Sequence, residues 1–129
     1  MEAIKEALAP VFEKMSDRIA AAYLFGSRAK GEAGPASDVD LAVLLHESAG
    51  NCGQELRLDL YADCCRALKR NDIDIVILNT TRNLFLLEEV VNRGVVLYQN
   101  DIGLREEFEV NVMHDFIEFR DHRKKVMGV

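Results

Sequence analysis

The chain is expected to fold as an α/β (α+β) domain, a short β-sheet flanked by helices, with one long helix closing the sequence. Three features lead there. Apolar residues recur at helical spacing near the start and in the middle of the chain, short β-branched runs lie between those stretches, and residues 101–125 form one uninterrupted charged amphipathic segment. With 129 residues, 49% apolar and 29% charged, the chain fits a single domain, 1–129, with enough apolar material for its own core.

Taken in order, Ile4, Ala7, Leu8, Val11, Phe12 and Met15 fall at i, i+3, i+4, i+7, i+8 and i+11, one stripe of an amphipathic helix. Pro10 lies inside that stripe and is expected to kink or split it. "RIAAAYLFGS" reads as a strand running into a Gly-Ser turn, and "GEAGPAS" (31–37), with two glycines and a proline, as loop. "DVDLAVLLH" (38–46) is a second strand. Val39, Leu41, Val43 and Leu45 share one of its faces and Asp38, Asp40, Ala42 and Leu44 the other, so beyond the aspartates it is apolar on both sides, as a covered central strand must be.

After the polar loop "HESAGNCGQ", Leu56, Leu60, Cys64 and Leu68 mark a second helix. "NDIDIVILN" (71–79) is another strand, with Asp72 and Asp74 on one face and Ile73, Ile75 and Ile77 on the other. "NLFLLEEVVNRG" reads as a helix stopped by Gly94, and "VVLY" as a short strand. The last helix places acids early (Asp101, Glu106, Glu107, Glu109) and bases late (Arg120, Arg123, Lys124, Lys125), the order favoured by the helix dipole.

Composition excludes several function classes. A formal net charge of −6 argues against nucleic acid as the main partner, because phosphate backbones call for a cationic surface. The three cysteines, Cys52, Cys64 and Cys65, make no disulfide framework and have no ligand spacing for zinc; Cys64 and Cys65 read as small apolar helix residues. "MEAIKEALAPVFEKM" mixes acidic and basic residues among its apolar ones, unlike a signal peptide or a membrane span, and the expected location is cytoplasmic.

Chemistry concentrates in "FGSRAKGEAGPASDVDLAV" (25–43). Aspartates at i and i+2 on a strand point the same way and can share one divalent cation. Two such charges about 4 Å apart repel by roughly 4 kcal/mol at an effective dielectric near 20, so the pair calls for a counter-ion. Asp74, in preference to Asp72, adds a third carboxylate if its strand lies alongside. Mg²⁺ suits oxygen donors of this kind, and three carboxylates favour two ions, the number that can hold both the attacking and the leaving oxygen of a phosphoryl displacement. Gly26 permits close backbone approach, and Ser27, Arg28 and Lys30 offer donors and positive charge to phosphate oxygens.

Gly26-Ser27, ten intervening residues, then Asp38-x-Asp40, with Asp74 inside Ile73-Asp74-Ile75-Val76, resembles the signature of the nucleotidyltransferase superfamily that includes DNA polymerase β and the aminoglycoside nucleotidyltransferases. Within it the chain is most similar to the minimal nucleotidyltransferase (MNT) subgroup and its MntA-like antitoxins, which pair with HEPN ribonuclease toxins. The likeness covers about residues 20–100 as catalytic core and, more loosely, "REEFEVNVMHDFIEF" in the C-terminal helix. It implies a nucleotidyltransferase fold with a short mixed β-sheet, and an activity that moves AMP from ATP to a tyrosine of the partner toxin. It also implies Asp38, Asp40 and Asp74 as catalytic metal ligands, Asp74 being also the base that helps deprotonate the acceptor hydroxyl, and Gly26, Ser27 and Arg28 as the triphosphate site. The competing readings are transfer to a small hydroxylated molecule of aminoglycoside type, and a non-catalytic module that neutralises a toxin by contact alone.

Other residues have plainer roles. His46, His114 and His122 read as surface or structural histidines, and Tyr23, Tyr61 and Tyr98 as packing residues. Asp72 reads as a solvated strand entrance. In the last helix, Leu104, Phe108, Val112, Phe116 and Phe119 make one apolar stripe, and Val110, Met113 and Ile117 a second. An arc that wide points to a protein contact, with either a second copy or a partner.

Overall fold

The strand that the sequence makes apolar on both faces beyond its aspartates, 38–46, lies inside the sheet. In the computed structural model, which describes residues 2–26, 29, 38–46 and 53–127, the elements are α1 (Glu2–Lys14), β1 (Ile19–Phe25), β2 (Val39–Leu45), α2 (Gly53–Leu68), β3 (Ile73–Ile77), α3 (Leu84–Arg93), β4 (Val95–Gln99) and α4 (Ile102–Met127). The strand order is β3-β2-β1-β4. β1 is antiparallel to both β2 and β4, and β2 is parallel to β3, so the sheet is mixed as expected.

Period-two alternation sorts the core into two layers. Val39, Leu41, Val43 and Leu45 of β2 join Ile73, Ile75 and Ile77 of β3 against Leu8 and Phe12 of α1 and Leu56, Leu60 and Cys64 of α2. On the other face Ala42 and Leu44 join Ala21, Tyr23 and Phe25 of β1 against Val90 of α3, with Leu104 and Phe108 of α4 packed at the margin. Cys64 is one of two free cysteines among the described residues, and burial pushes its thiol up to about 12. A thiol held protonated in this way has little reactivity, in keeping with its reading as an apolar helix residue.

Of the two outcomes expected at Pro10, the helix is not split. α1 runs unbroken from Glu2 to Lys14 with Pro10 inside it. A proline in a helix costs about 3 kcal/mol, but Pro10 is exposed while Leu8, Val11 and Phe12 around it are buried. Each of those side chains contributes roughly 1.5–3 kcal/mol on burial, enough to hold the helix together across the missing hydrogen bond.

α3 begins at Asn83, whose side chain accepts from the Leu86 N–H at 3.2 Å. It stops at Gly94 as expected, though not through a left-handed cap. Gly94 is extended (φ −71°, ψ 156°), and a Cβ there would run into the Val90 carbonyl.

Asn79 extends the β2–β3 pairing with a side chain in place of a backbone. Its Oδ1 accepts from the Leu45 N–H at 2.8 Å and its Nδ2 donates to the Leu45 carbonyl at 3.0 Å. Asn79→Ala leaves both groups without this partner. The expected loss is about 1–2 kcal/mol in urea denaturation with an unchanged m-value.

α4 is tied to the sheet by a polar cluster. The Tyr23 hydroxyl donates to Glu109 Oε2 at 2.7 Å, Arg105 donates to the same oxygen at 2.7 Å, and Arg105 Nε donates to Gln99 Oε1 at 2.7 Å. Burial, then the Glu109 carboxylate, push the Tyr23 phenol well above its usual range, so it stays a neutral donor. Tyr23 and Tyr98 are packing residues as expected, Tyr98 against Phe12 with ring centroids 5.6 Å apart. Tyr61 is exposed and donates to the Asn71 carbonyl at 3.0 Å. No helix among the described residues is long and apolar enough to cross a membrane.

Candidate active site

The aspartates stand where β2 and β3 begin. Asp38 immediately precedes β2 and is exposed, Asp40 is its second residue and half-buried, and Asp74 is the second residue of β3 and exposed. The parallel register pairs Asp40 directly with Asp74, between the pairs Val39–Ile73 and Leu41–Ile75. Because those flanking residues face α1 and α2, alternation directs Asp40 and Asp74 to the opposite face, with Asp38 two residues before Asp40 on the same side. The three carboxylates therefore share one end and one face of the sheet.

Their charges act on one another. The Asp40 carboxyl is raised above its ordinary value of 3.8, first by burial, then by the charges of Asp74, Asp38 and Glu89. Glu89, half-buried on α3, is a fourth acid at this end that the sequence reading passed over. A signal for it exists: Leu86, Glu89, Val90 and Arg93 fall at i, i+3, i+4 and i+7, so Glu89 sits beside the helix face that packs on the sheet.

Arg70 is the other residue missed. Its guanidinium pairs with the Asp72 carboxylate through both Nε and Nη2, and it lies within electrostatic reach of Asp38. Asp72 is thus an ion-paired strand entrance rather than merely a solvated one, and its carbonyl accepts from the Val39 N–H at 3.0 Å, joining the starts of β2 and β3.

Gly26 closes the other side. It follows β1 with φ +76°, a left-handed conformation that L side chains rarely adopt, and a Cβ there would collide with Asp40 Oδ2. The β1–β2 register explains the closeness, since Phe25 pairs with Asp40. Glycine at 26 therefore lets the turn lie directly against the carboxylate. Ser27 and Arg28, assigned with Gly26 to the triphosphate, lie outside the described residues, as do Lys30 and Cys52.

A hard, oxygen-only donor set that raises its own carboxyl is chemically suited to Mg²⁺. Among the described residues, the metal-type side chains drawn within 4.8 Å of one another are His114, Asp115 and Glu118 on α4, all exposed. The aspartates at the strand starts are spread more widely. His46 is half-buried and hydrogen-bonds Asn100 Oδ1 at 3.1 Å, a structural role as expected.

An acidic face at the start of two parallel strands, against a glycine turn, defines a class of nucleotide-transferring enzymes. Residues 6–103 match the family described as "Polymerase beta, Nucleotidyltransferase", and the chain belongs to that family. No curated protein matches it. Solved structures match over nearly the whole chain. One is a toxin–antitoxin complex crystallised with AMP-PNP, at 23% identity, covering 96% of this chain and 95% of that one with a TM-score of 0.73. A second is the MntA–HepT toxin–antitoxin pair, at 22% identity, 99% and 97% coverage and a TM-score of 0.71. A third is a tri-AMPylated Shewanella oneidensis HEPN toxin in complex with its MNT antitoxin, at 21% identity, 98% and 95% coverage and a TM-score of 0.68. The chain thus has the nucleotidyltransferase fold, long C-terminal helix included.

Proposed function

We propose that this chain is a Mg²⁺-dependent nucleotidyltransferase that moves AMP from ATP onto a tyrosine hydroxyl of a partner HEPN-type toxin, and so acts as a cytoplasmic antitoxin. The observation that carries the reading is the in-register Asp40–Asp74 pair facing the Gly26 turn. The choice of partner is supported by the similar folds, which come from complexes of MNT antitoxins with HEPN toxins. The exposed Phe85, in edge-to-face contact with Phe116 and Phe119, offers apolar surface suited to a protein acceptor.

In this reading Asp38, Asp40 and Asp74 hold the metal, which when bound neutralises charge on the phosphates. Gly26, with Ser27 and Arg28, receives the triphosphate. Asp74 takes the proton of the acceptor hydroxyl, whose oxygen forms a bond to the α-phosphorus as the bond to the β-phosphate oxygen breaks and pyrophosphate leaves. Arg70 holds Asp72 at the entrance and steadies the strand starts from which the acids project.

The test is incubation with Mg²⁺ and α-labelled ATP, with the HEPN-type protein encoded beside this chain or with an aminoglycoside. Label on the protein is the expected result. Label on the aminoglycoside alone, or tight complex formation without label, refutes protein AMPylation.

A further inference from the structure

α4 carries a second stripe that the core does not use. Leu104, Phe108, Val112 and Phe116 turn toward the sheet and α3, whereas Glu106, Val110, Met113, Ile117 and Arg120 lie roughly 140° round the helix at 3.6 residues per turn. Their spacing is 4, 3, 4, 3, and the next step falls on Lys124. This is the a/d spacing of a two-helix seam. Val110 is 66% exposed and Ile117 44% exposed, a large apolar area for a surface helix, and Glu106 and Arg120 are exposed at either end of the trio. Beside the stripe, Val91 and Asn92 of α3 form the far wall of a groove of about 630 Å³.

The order of charge decides what fits. The stripe reads acid, three apolar residues, base. A second such helix laid parallel would set acid on acid and base on base; laid antiparallel, it sets Glu106 against Arg120 at both ends and Val110 against Ile117 between them. A surface complementary to itself under a two-fold axis is the signature of an isologous contact.

We infer that this chain self-associates through α4, two copies packing antiparallel along the Glu106–Arg120 stripe. The seam spans only about two heptads, so the dimer is in exchange with monomer and weakens with salt. This contact is separate from the acidic site and does not depend on the transfer reaction.

Sedimentation velocity of the full chain over a concentration series tests it, with circular dichroism confirming that each variant is folded. The wild type is expected to show a monomer–dimer equilibrium. Val110→Glu weakens it by at least about tenfold, because a charge then sits among the apolar residues of the seam, opposite Ile117. Glu106→Arg and Arg120→Glu each weaken it by roughly threefold or more, and the double swap Glu106→Arg/Arg120→Glu recovers most of the loss, since it restores opposite charges across the dyad. A monomer at every concentration overturns the inference. So does a dimer indifferent to Val110→Glu, and so does a double swap as weak as the single variants.

Discussion

Asp40→Asn is expected to abolish transfer, lowering the rate by about three orders of magnitude or more, while making the protein slightly more stable. The two effects have one origin. Asp40 is held by burial and by the charges of Asp74, Asp38 and Glu89 in a state where ionisation is unfavourable. Its folded pKa lies above its unfolded one, so well below pH 3.8, where the carboxyl is protonated in both states, the substitution relieves nothing. As pH rises from there through the raised folded value the native protein loses stability relative to the unfolded chain, and above that value the loss is constant. The asparagine variant escapes it. Because Asp40 is partly solvated, the gain is discounted to about 0.5 kcal/mol, a rise of roughly 2 °C in melting temperature at pH 7. Differential scanning calorimetry at pH 7 and well below pH 3.8, beside the activity assay, reads both effects. A destabilised Asn variant at pH 7 contradicts the repulsion between these acids.

Gly26→Ala is expected to be the most damaging change of a single methyl group. The residue has φ +76°, and its new Cβ would meet the Asp40 carboxylate. Strain at that φ costs roughly 1–2 kcal/mol. Relief by movement of Asp40 takes the carboxylate away from Asp74, so activity falls by about 100-fold or more, as catalytic geometry disturbed by 1 Å commonly does. Chemical denaturation measures the first effect and steady-state kinetics the second. Stability falling with full activity retained would separate Gly26 from the site.

Much of this arrangement is legible along the chain because strands alternate with a period of two. Val39, Leu41 and Val43 against Asp40, Ala42 and Leu44 already state which face is hydrocarbon and which carries acid, and Ile73-Asp74-Ile75 repeats the statement; that the two strands run parallel with Asp40 opposite Asp74 is visible only in the structure, because a slip of two residues would keep the same faces. Arg70 and Glu89 were not legible in the same way. Arg70 ends a helical pattern and Glu89 sits mid-helix, and only the packing of α2 and α3 onto opposite faces of the sheet brings both toward the aspartates. Pro10 shows the opposite limit: a local helix-breaking signal does not split α1, because Leu8, Val11 and Phe12 on either side are buried. At Gly26 the turn was legible, but not its reason, which lies in a carboxylate fourteen positions along the chain on the neighbouring strand.

If Asp38, Asp40 and Asp74 act together, the group they transfer is the α-phosphoryl with its nucleoside. This is tested most directly with ATP labelled separately at the α and γ positions, given with Mg²⁺ and the acceptor protein to the wild type and to Asp74→Asn. The expected result is α label in the acceptor and γ label in released pyrophosphate, both lost in Asp74→Asn. Label from the γ position in the acceptor, or α transfer undiminished in Asp74→Asn, would contradict it.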